Sequence, residues 1–254
     1  MATKHYDIDY LQNTRRLLIN LKEQSYTFFN KIDDGTIVDL GCGAGNDVIG
    51  LAKVVGENVK VIGADHDPQM VEQGKNQAKG LKNVDFILSE AWPLPFQSES
   101  VSGLRAERLI QHLKEPEKVI TDISRVLKTD APFVIIETDW HSLAFYTEFI
   151  DTQKKLNAYL TDVKVNNGFA ARKLTGCLQA NNFKNISFEI KPFVINTLAE
   201  ANEYFWIEKI VKEASEKGYI EDSNYKAFYQ ALQKADEAGY FSCSINLVLV
   251  SCIK

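Results

Sequence analysis

The sequence predicts an α/β fold built on a doubly wound, mostly parallel sheet with helices on both faces. Three observations predict it: short β-branched runs alternate with helical segments between residues 36 and 137, a glycine-rich turn follows the first run, and no internal repeat is present. Because parallel strands need long crossover connections, the alternation indicates βαβ units. Ligands of such sheets bind at the carboxyl ends of the strands.

Seven segments are predicted as strands, and between them the hydrophobic period changes to that of a helix. The predicted strands are residues 36–40, 59–64, 83–88, 101–104, 132–137, 186–190 and 244–253, of which the last two form an antiparallel closing pair. Further helices are predicted at residues 6–31, 142–160 and 169–180. Asp67 is expected to cap the helix that begins at Pro68.

Composition and charge restrict the classes of function. The 254 residues carry a formal net charge of −5 without a block of Lys and Arg, so nucleic acid is not expected as a partner. The cysteines show no spacing typical of a metal site, which predicts free thiols and no bound metal; they are Cys42, Cys177, Cys243 and Cys252. Without a signal-like segment or an apolar run of roughly 20 residues, the protein is expected to be cytoplasmic and to have no membrane span.

The clearest motif is the glycine-rich turn after the first strand, Val38 to Gly45, which reads Val-Asp-Leu-Gly-Cys-Gly-Ala-Gly. A dinucleotide fingerprint needs a third glycine where Asn46 lies, and a P-loop needs a Lys followed by Ser or Thr after its last glycine. The remaining alternative is a nucleoside-binding turn with an acid two residues before the first glycine, and Asp39 lies there. A carboxylate at this position suits a cationic amino group and repels a pyrophosphate.

The second predicted strand leads into Asp65, and an acid at this place bonds the ribose hydroxyls in related folds. His66 either lines the adenosine pocket or is a solvated turn residue. Met70, one turn into the next helix, either touches adenine or packs into the core.

With these motifs the sequence resembles the class I S-adenosylmethionine-dependent methyltransferases of the small-molecule type, which includes ubiquinone and menaquinone methyltransferases. The resemblance covers about residues 36–140. It rests on four segments, which are Val38–Gly45, Gly63–Asp65, Leu94–Phe96 and Arg125–Lys128. It implies a Rossmann-like seven-stranded sheet with an antiparallel C-terminal strand and helical lid insertions, and methyl transfer from S-adenosylmethionine.

The resemblance also implies where the methionine and ribose parts of the cofactor lie. Asp39, Gly41 and Gly43, with Cys42 between the glycines, would hold the methionine end. Asp65 would bind the ribose diol.

The resemblance places the other end of the cofactor after the third strand. Glu90 and Ala91 would contact the adenine amino group, and Trp92 would form a wall beside the ring. Arg105 or Ala106, at the end of the fourth strand, would line the sulfonium site. Arg105 and Arg108 can alternatively pair with Glu107 and Glu115.

Two departures from the family pattern mark a divergent member. Val101-Ser102 replaces a common Phe-Asp, and Lys128-Thr129-Asp130-Ala131 replaces a Lys-Pro-Gly-Gly turn. They make it unsafe to transfer a substrate by analogy.

The resemblance suggests one domain in three parts. Residues 1–35 form an N-terminal helical cap, residues 36–140 the cofactor-binding core and residues 141–254 a substrate-side half. The last part holds an aromatic-rich helical insertion at about residues 198–238, which either packs as core or covers an apolar pocket. In the cap, Arg15 or Arg16 either reaches the cofactor carboxylate or remains solvated.

Methyl transfer from a sulfonium depends mainly on alignment, and a general base adds about 10²–10⁴-fold where a proton must leave. His112 and His141 are the candidates, because each follows a strand at the carboxyl edge. The alternatives are a loop-orienting role for His112 and a surface turn for His141.

The predicted acceptor is a small molecule of apolar or aromatic character. Two rival functions stay open, a non-catalytic scaffold that binds S-adenosylmethionine and an NAD-dependent oxidoreductase. The sequence does not distinguish methylation of oxygen, nitrogen or carbon, and it leaves the oligomeric state open.

Overall fold

The computed structural model describes residues 18–254. The start of the first predicted helix and the two candidate arginines, Arg15 and Arg16, lie outside the described residues. Within them, helix α1 comprises residues 18–26 and leads into a short 3₁₀ turn, Thr27–Phe29.

Seven strands form one sheet in the order β3-β2-β1-β4-β5-β7-β6. Their bounds are Gly35–Leu40 (β1), Val59–Asp65 (β2), Val84–Leu88 (β3), Gly103–Glu107 (β4), Pro132–Phe145 (β5), Lys184–Ile195 (β6) and Cys243–Ile253 (β7). Strands β1 to β5 pair in parallel, whereas β7 runs antiparallel to β5 and β6. The predicted fold class is confirmed. The strand order reverses between β1 and β4, which places the expected ligand crevice at their carboxyl ends.

Helices cover both faces of the sheet. Their bounds are Asn46–Val55 (α2), Pro68–Gln77 (α3), Pro116–Val126 (α4), Ile150–Tyr159 (α5), Ala170–Ala180 (α6), Leu198–Phe205 (α7), Ile207–Glu216 (α8) and Asp222–Glu237 (α9). One apolar core contains buried side chains of α1–α3, α5 and α7–α9, and the other contains those of α4 and α6. Successive residues of β1, such as Ile37 and Val38, belong to opposite cores, as the pleat requires. No helix of the described chain is long and apolar enough to cross a membrane.

Local sequence sets where two of these helices begin. The side chain of Asp67 caps α3 by accepting the N–H of Gln69 at 2.8 Å, as predicted. Helices α3 and α4 both have proline in their first position, where the fixed φ of proline suits a helix and its missing N–H has no intrahelical partner to lose.

The fourth strand was predicted at residues 101–104 and this is wrong, because the strand begins at Gly103 and runs to Glu107. Val101 instead forms an isolated bridge with Leu127. The shift moves Arg105 from the expected end of the strand into its middle.

The helix predicted at residues 142–160 is also wrong over its first part. Strand β5 continues to Phe145 beyond a bulge after Asp139, because residues 144 and 145 pair with Ser244 and Cys243 of β7. Helix α5 begins only at Ile150. Long-range pairing decides this segment against a locally helical pattern of apolar residues.

Helices α7 to α9 lie between β6 and β7. Two of their aromatic side chains, Phe205 and Phe228, are buried in the core, and the Phe228 ring meets that of Phe145 edge-on at 5.5 Å. These rings serve to pack the helices against the extended part of β5.

Candidate functional site

The turn after β1 has the backbone geometry that its glycines predict. Gly41, Gly43 and Gly45 have positive φ values of 73°, 52° and 83°, a region that residues with a side chain rarely adopt. A Cβ on Gly45 would also lie only 2.4 Å from Cζ of Phe86. The N–H of Gly41 bonds to the carbonyl of Ala64 at 2.8 Å, so the turn lies beside the end of β2.

Asp65, the predicted ribose ligand, faces this turn from the end of β2. Its Oδ2 accepts the N–H of Gly43 at 2.8 Å, and its Oδ1 accepts the N–H of Asp67 at 3.0 Å. Nδ1 of the exposed His66 lies 3.4 Å from the same Oδ1. The carboxylate therefore joins the ends of β1 and β2, which is where an acid binds a ribose in this type of sheet.

Two predicted cofactor residues near the turn are buried. Cys42 lies beneath it, and burial raises the pKa of its thiol well above the usual range, so the thiol stays protonated. Met70 is buried in the first turn of α3.

The predicted adenine contacts, Glu90, Ala91 and Trp92, follow β3 and line one wall of a groove of about 250 Å³. Residues 113–115 and Lys118 form the other wall. The indole of Trp92 is 48% exposed, and the Lys118 ammonium lies 5.2 Å from its ring centre. An exposed indole beside such a groove offers a flat apolar wall to a base.

Arg105 is enclosed by carboxylates on the sheet face that α1 and α2 cover. Its guanidinium lies 3.0 Å from Asp39 Oδ1, 2.5 Å from Glu107 Oε2 and 3.7 Å from Asp47 Oδ2. Arg105 is only 1% exposed, and it lies directly opposite Asp39 in the β1–β4 register. The expected pairing of Arg105 with Glu107 is thus present, and the side chain is closed off from solvent.

Helix α1 completes this group through Lys22, whose ammonium lies 2.7 Å from Asp47 Oδ2 and 2.6 Å from Glu107 Oε2. We call Lys22, Asp39, Asp47, Arg105 and Glu107 the ion cluster. The hydroxyl of Tyr26 donates to Asp47, and Arg108 lies 3.4 Å from Glu107 at the rim. Three cations therefore face three carboxylates, which is how buried charge is tolerated.

The carboxyls of the ion cluster differ in their titration. Burial raises the pKa of Asp39 to about 7, although Arg105 opposes it. For Asp47, burial acts in the same direction, but Arg105 and Lys22 outweigh it and lower the pKa. The pKa of Glu107 is likewise lowered, because Lys22 and Arg105 outweigh burial. Asp47 and Glu107 are therefore ionised at neutral pH, and Asp39 is near its midpoint.

A further buried carboxyl, Glu137, lies in β5 on the opposite face, the face of Ile135. Its Oε1 accepts the N–H of Ile110 at 2.5 Å and the N–H of Gln111 at 3.4 Å, and its Oε2 is buried without a hydrogen-bond partner within residues 18–254. Burial raises the pKa of Glu137 to about 8, so the group is mostly protonated at neutral pH.

His112, a predicted catalytic residue, ends the 3₁₀ turn Ile110–His112 that Glu137 holds, and its side chain is exposed. The indole N–H of Trp140 donates to Gln111 Oε1 at 2.6 Å, and Gln111 Nε2 lies 3.2 Å from His112 Nε2. We call Glu137, Gln111, Trp140 and His112 the neutral network. It joins the loop after β4 to strand β5.

His141, the other predicted catalytic residue, lies in the extended part of β5. Its exposed ring packs on Phe169 with centroids 5.7 Å apart. Nearby in the strand, Asp139 forms a two-point ion pair with Arg172 of α6, with N–O distances of 2.9 and 3.0 Å. The two candidate histidines thus belong to separate segments of the carboxyl edge.

A larger cavity, of about 500 Å³, lies at the other edge of the sheet. It is lined by residues that precede strands, among them Lys31, Ser102 and residues 128–132. Since ligands of such sheets bind at the carboxyl ends, the candidate site is the smaller groove with the glycine turn.

Several residues of the ion cluster and the neutral network were not predicted as site residues from the sequence, namely Lys22, Asp47, Gln111 and Glu137. The signal for Glu137 was an acid that directly follows the apolar run 133–136, because a carboxyl there must be buried. No comparable local signal marked Lys22, whose partners lie 25 and 85 residues away.

The model of a methyltransferase domain family matches residues 31–201, which is more than half of the chain. The chain belongs to this family. The resemblance to S-adenosylmethionine-dependent methyltransferases, inferred from the motifs, is thereby confirmed.

The alignments with curated relatives cover different shares of the relatives' own lengths. An uncharacterized 37.1 kDa protein in transposon TN4556 of Streptomyces fradiae is 28% identical over 183 residues, which is 72% of this chain and 53% of that protein. Demethylmenaquinone methyltransferase of Lactococcus lactis is 26% identical over 207 residues, which is 80% of this chain and 69% of that enzyme. The chain therefore spans about half the length of the first relative.

Solved structures agree with the fold. The YcgJ protein of Bacillus subtilis aligns with a TM-score of 0.60 at 20% identity, over 91% of this chain and 98% of its own. Phosphoethanolamine N-methyltransferase 2 of Haemonchus contortus, solved in complex with S-adenosyl-L-methionine, aligns with a TM-score of 0.59 at 15% identity, over 96% of this chain and 56% of its own. At such identities the likeness establishes the architecture.

Proposed function

We propose that the protein transfers a methyl group from S-adenosylmethionine to a small-molecule acceptor. The observation that carries the proposal is the hydrogen bond from the N–H of Gly43 to Asp65, which brings the ribose-binding acid and the glycine turn together. Membership of the methyltransferase family supports the same reaction.

The residues at this edge fit the cofactor. A Cβ on Gly41 would lie 3.1 Å from Cδ1 of Leu109, so glycine lets the turn and the loop after β4 approach each other closely where the methionine end would bind. Asp65 takes the ribose diol, and the groove beside Glu90 and Trp92 takes the adenine. S-adenosylmethionine, when bound, supplies a methyl group that is activated by a positively charged sulfur.

Other predicted cofactor residues keep supporting roles in the proposal. His66 and Met70 approach the adenosine from the α3 side, and Cys42 and Ala91 contribute backbone. Asp39 and Arg105 are sealed in the ion cluster, so we assign them to holding the turn from beneath.

The proposed acceptor is apolar or aromatic. The carboxyl end of β5 offers Trp140 and the ring pair of His141 and Phe169 as a surface for such a molecule. One relative is named demethylmenaquinone methyltransferase, and one structural neighbour is named geranyl diphosphate methyltransferase, whose substrate joins an apolar chain to a charged diphosphate. We assign to His141 the acceptance of a proton from a hydroxyl acceptor, and His112 follows β4 in a separate segment of the same edge.

Calorimetric titration of the purified chain with S-adenosylhomocysteine tests the cofactor. We expect micromolar binding that Asp65→Ala weakens at least tenfold, about 1.4 kcal/mol. The matched control is Asp85→Ala, because Asp85 is half-exposed in β3 and pairs with Lys60 on the surface. A parallel titration with NAD tests the oxidoreductase alternative.

Equal binding by wild type and Asp65→Ala would refute the ribose assignment, and selective NAD binding would refute the proposed cofactor. The acceptor is tested next, by mass spectrometry of quinols, phenols and prenyl compounds incubated with the protein and S-adenosylmethionine. Binding of the cofactor without any methylated product would favour the scaffold alternative.

A further inference from the structure

The orientation of the Gln111 side-chain amide is determined by its neighbours. An indole N–H only donates, so the Gln111 atom 2.6 Å from Trp140 Nε1 must be the carbonyl Oε1. A backbone carbonyl only accepts, and that of Arg108 lies 3.2 Å from Gln111 Nε2. Turning the amide over would set donor against donor and acceptor against acceptor. Gln111 is only 4% exposed, so water cannot readily replace the lost bonds.

This orientation decides which nitrogen of His112 carries the proton. Gln111 Nε2 lies 3.2 Å from His112 Nε2. An amide nitrogen has no lone pair to offer, so the facing ring nitrogen must accept the hydrogen bond. In the neutral ring the single proton then lies on Nδ1.

The backbone around Gln111 is held as firmly as its side chain. Glu137 accepts the N–H groups of Ile110 and Gln111, and the carbonyl of Gln111 accepts the N–H of Asn167 at 2.9 Å. The carbonyl of His112 accepts from the side chain of Asn166 at 2.9 Å. The Gln111 amide and the backbone on either side of it are therefore held by β5 and by residues 166–167.

We propose that Gln111 is a positioning residue, oriented by Trp140, that holds His112 as the neutral tautomer with its proton on Nδ1. In that state Nε2 is already engaged as an acceptor, so it cannot take a proton from the acceptor molecule while the bond to Gln111 is kept. This consequence rests on the proposed methyl transfer, whereas the tautomer itself does not. A proton released by an acceptor must then go to another group, such as His141, or to water.

Nitrogen-15 NMR of histidine-labelled full-length protein at pH 8 tests the proposal, because an unperturbed histidine is neutral there. Long-range couplings from the ring carbon protons identify the protonated nitrogen of each ring, and His112→Asn assigns the signal. We expect Nδ1 of His112 to be protonated and Nε2 to be bare. A wild-type His112 with its proton on Nε2 would overturn the proposal, whatever the variants show.

Two variants test the roles of the neighbours. Gln111→Glu replaces the donor by an acceptor, so the proton should move to Nε2 or both nitrogens should be protonated. Trp140→Phe frees the amide to turn over, so the nitrogen shifts of His112 should move towards those of a mixture of tautomers. Unchanged shifts in both variants would contradict the mechanism. The signals of the other three histidines report whether each variant is folded.

Titration of the same samples with S-adenosylhomocysteine separates this inference from the proposed function. Bare Nε2 without cofactor binding would support the tautomer and refute the function. Cofactor binding together with a proton on Nε2 would do the reverse.

Discussion

The ion cluster and the neutral network bury polar side chains at the same edge of the sheet, on opposite faces, by different means. In the ion cluster, Arg105 and Lys22 meet three carboxylates at 2.5 to 3.7 Å, so the charges stay and the pKa values of Asp47 and Glu107 fall. In the neutral network, backbone N–H groups hold Glu137, and burial raises its pKa to about 8. Asp47 and Glu107, which each touch at least two cations, thus keep their charge, whereas burial still raises the pKa of Asp39, which pairs with Arg105. Glu137, which is held by backbone N–H groups, keeps its proton.

The two arrangements also suit different tasks. Ion pairs attract over a range of angles, and the ion cluster fastens α1 against the strands that carry the glycine turn. Hydrogen bonds between neutral groups have a direction, because donor must face acceptor. The neutral network can therefore specify a tautomer, which a set of ion pairs cannot do.

The largest expected effect is that of Arg105→Met. It leaves Asp39 buried without its ion-pair partner and leaves Glu107 with Lys22 and Arg108, and removal of one partner from a buried ion pair costs about 3–5 kcal/mol. For a chain of this size, the loss corresponds to a fall in Tm of about 6–20 °C. Urea denaturation measures the free energy of unfolding.

The matched control is Lys226→Met, since Lys226 pairs with Asp222 on the exposed side of α9. Such a surface pair is worth about 0.5 kcal/mol or less. Equal losses in the free energy of unfolding of Arg105→Met and Lys226→Met would mean that burial adds nothing to the stability of the ion cluster. The ion cluster would then not differ from a surface ion pair.

Glu137→Gln tests the neutral network through pH. Burial raises the folded-state pKa of Glu137 from 4.5 to about 8, so its contribution to stability is present below pH 4.5 and is lost as the pH rises towards 8. Gln cannot ionise, and its carbonyl can still accept the N–H of Ile110. Relative to wild type, the variant should therefore gain stability between pH 5 and pH 9.

The expected gain is on the order of 2–3 kcal/mol, less than the full shift would give at about 1.4 kcal/mol per pKa unit, because water enters when a buried group ionises. Urea denaturation at several pH values measures it. Titration of Asp39 is common to both proteins and cancels in the difference. A difference that stays constant with pH would show that Glu137 is already ionised at pH 5.

The glycine turn and Asp65 could be predicted because their geometry is local. Positive φ values are available to glycine, and the acid at the end of β2 lies beside the turn after β1, because neighbouring parallel strands end at the same edge of the sheet. The ion cluster could not be predicted in the same way. It depends on the β1–β4 register, which sets Asp39 against Arg105, and on a helix that reaches Glu107 across 85 residues.

The extension of β5 was missed for the same reason. Residues 142–145 are decided by their pairing with β7, which lies about 100 residues further along the chain. The strand was predicted to end at residue 137, so its extension contains both Trp140 and His141. The contact between Trp140 and Gln111 could therefore not be predicted from the local sequence. Local pattern predicted the glycine turn and Asp65, to which we assign the cofactor, and long-range pairing builds the ion cluster and the neutral network.

The smallest expected effect concerns a third arrangement at this edge, the two-point ion pair of Arg172 and Asp139. The Arg172 side chain is 49% exposed, so solvent screens the pair and Arg172→Ala should cost about 1 kcal/mol.

At 1 M salt, where the screening length is about 3 Å, the cost of Arg172→Ala should fall by roughly half. The cost of Arg105→Met should hardly change, because its partners are enclosed. Lys173→Ala, on the exposed neighbour of Arg172 in α6, controls for the change in helix propensity. If 1 M salt lowered the stability cost of Arg105→Met and of Arg172→Ala by the same fraction, the ion cluster would be open to solvent. Its burial could then not explain why the Arg105 variant loses more stability.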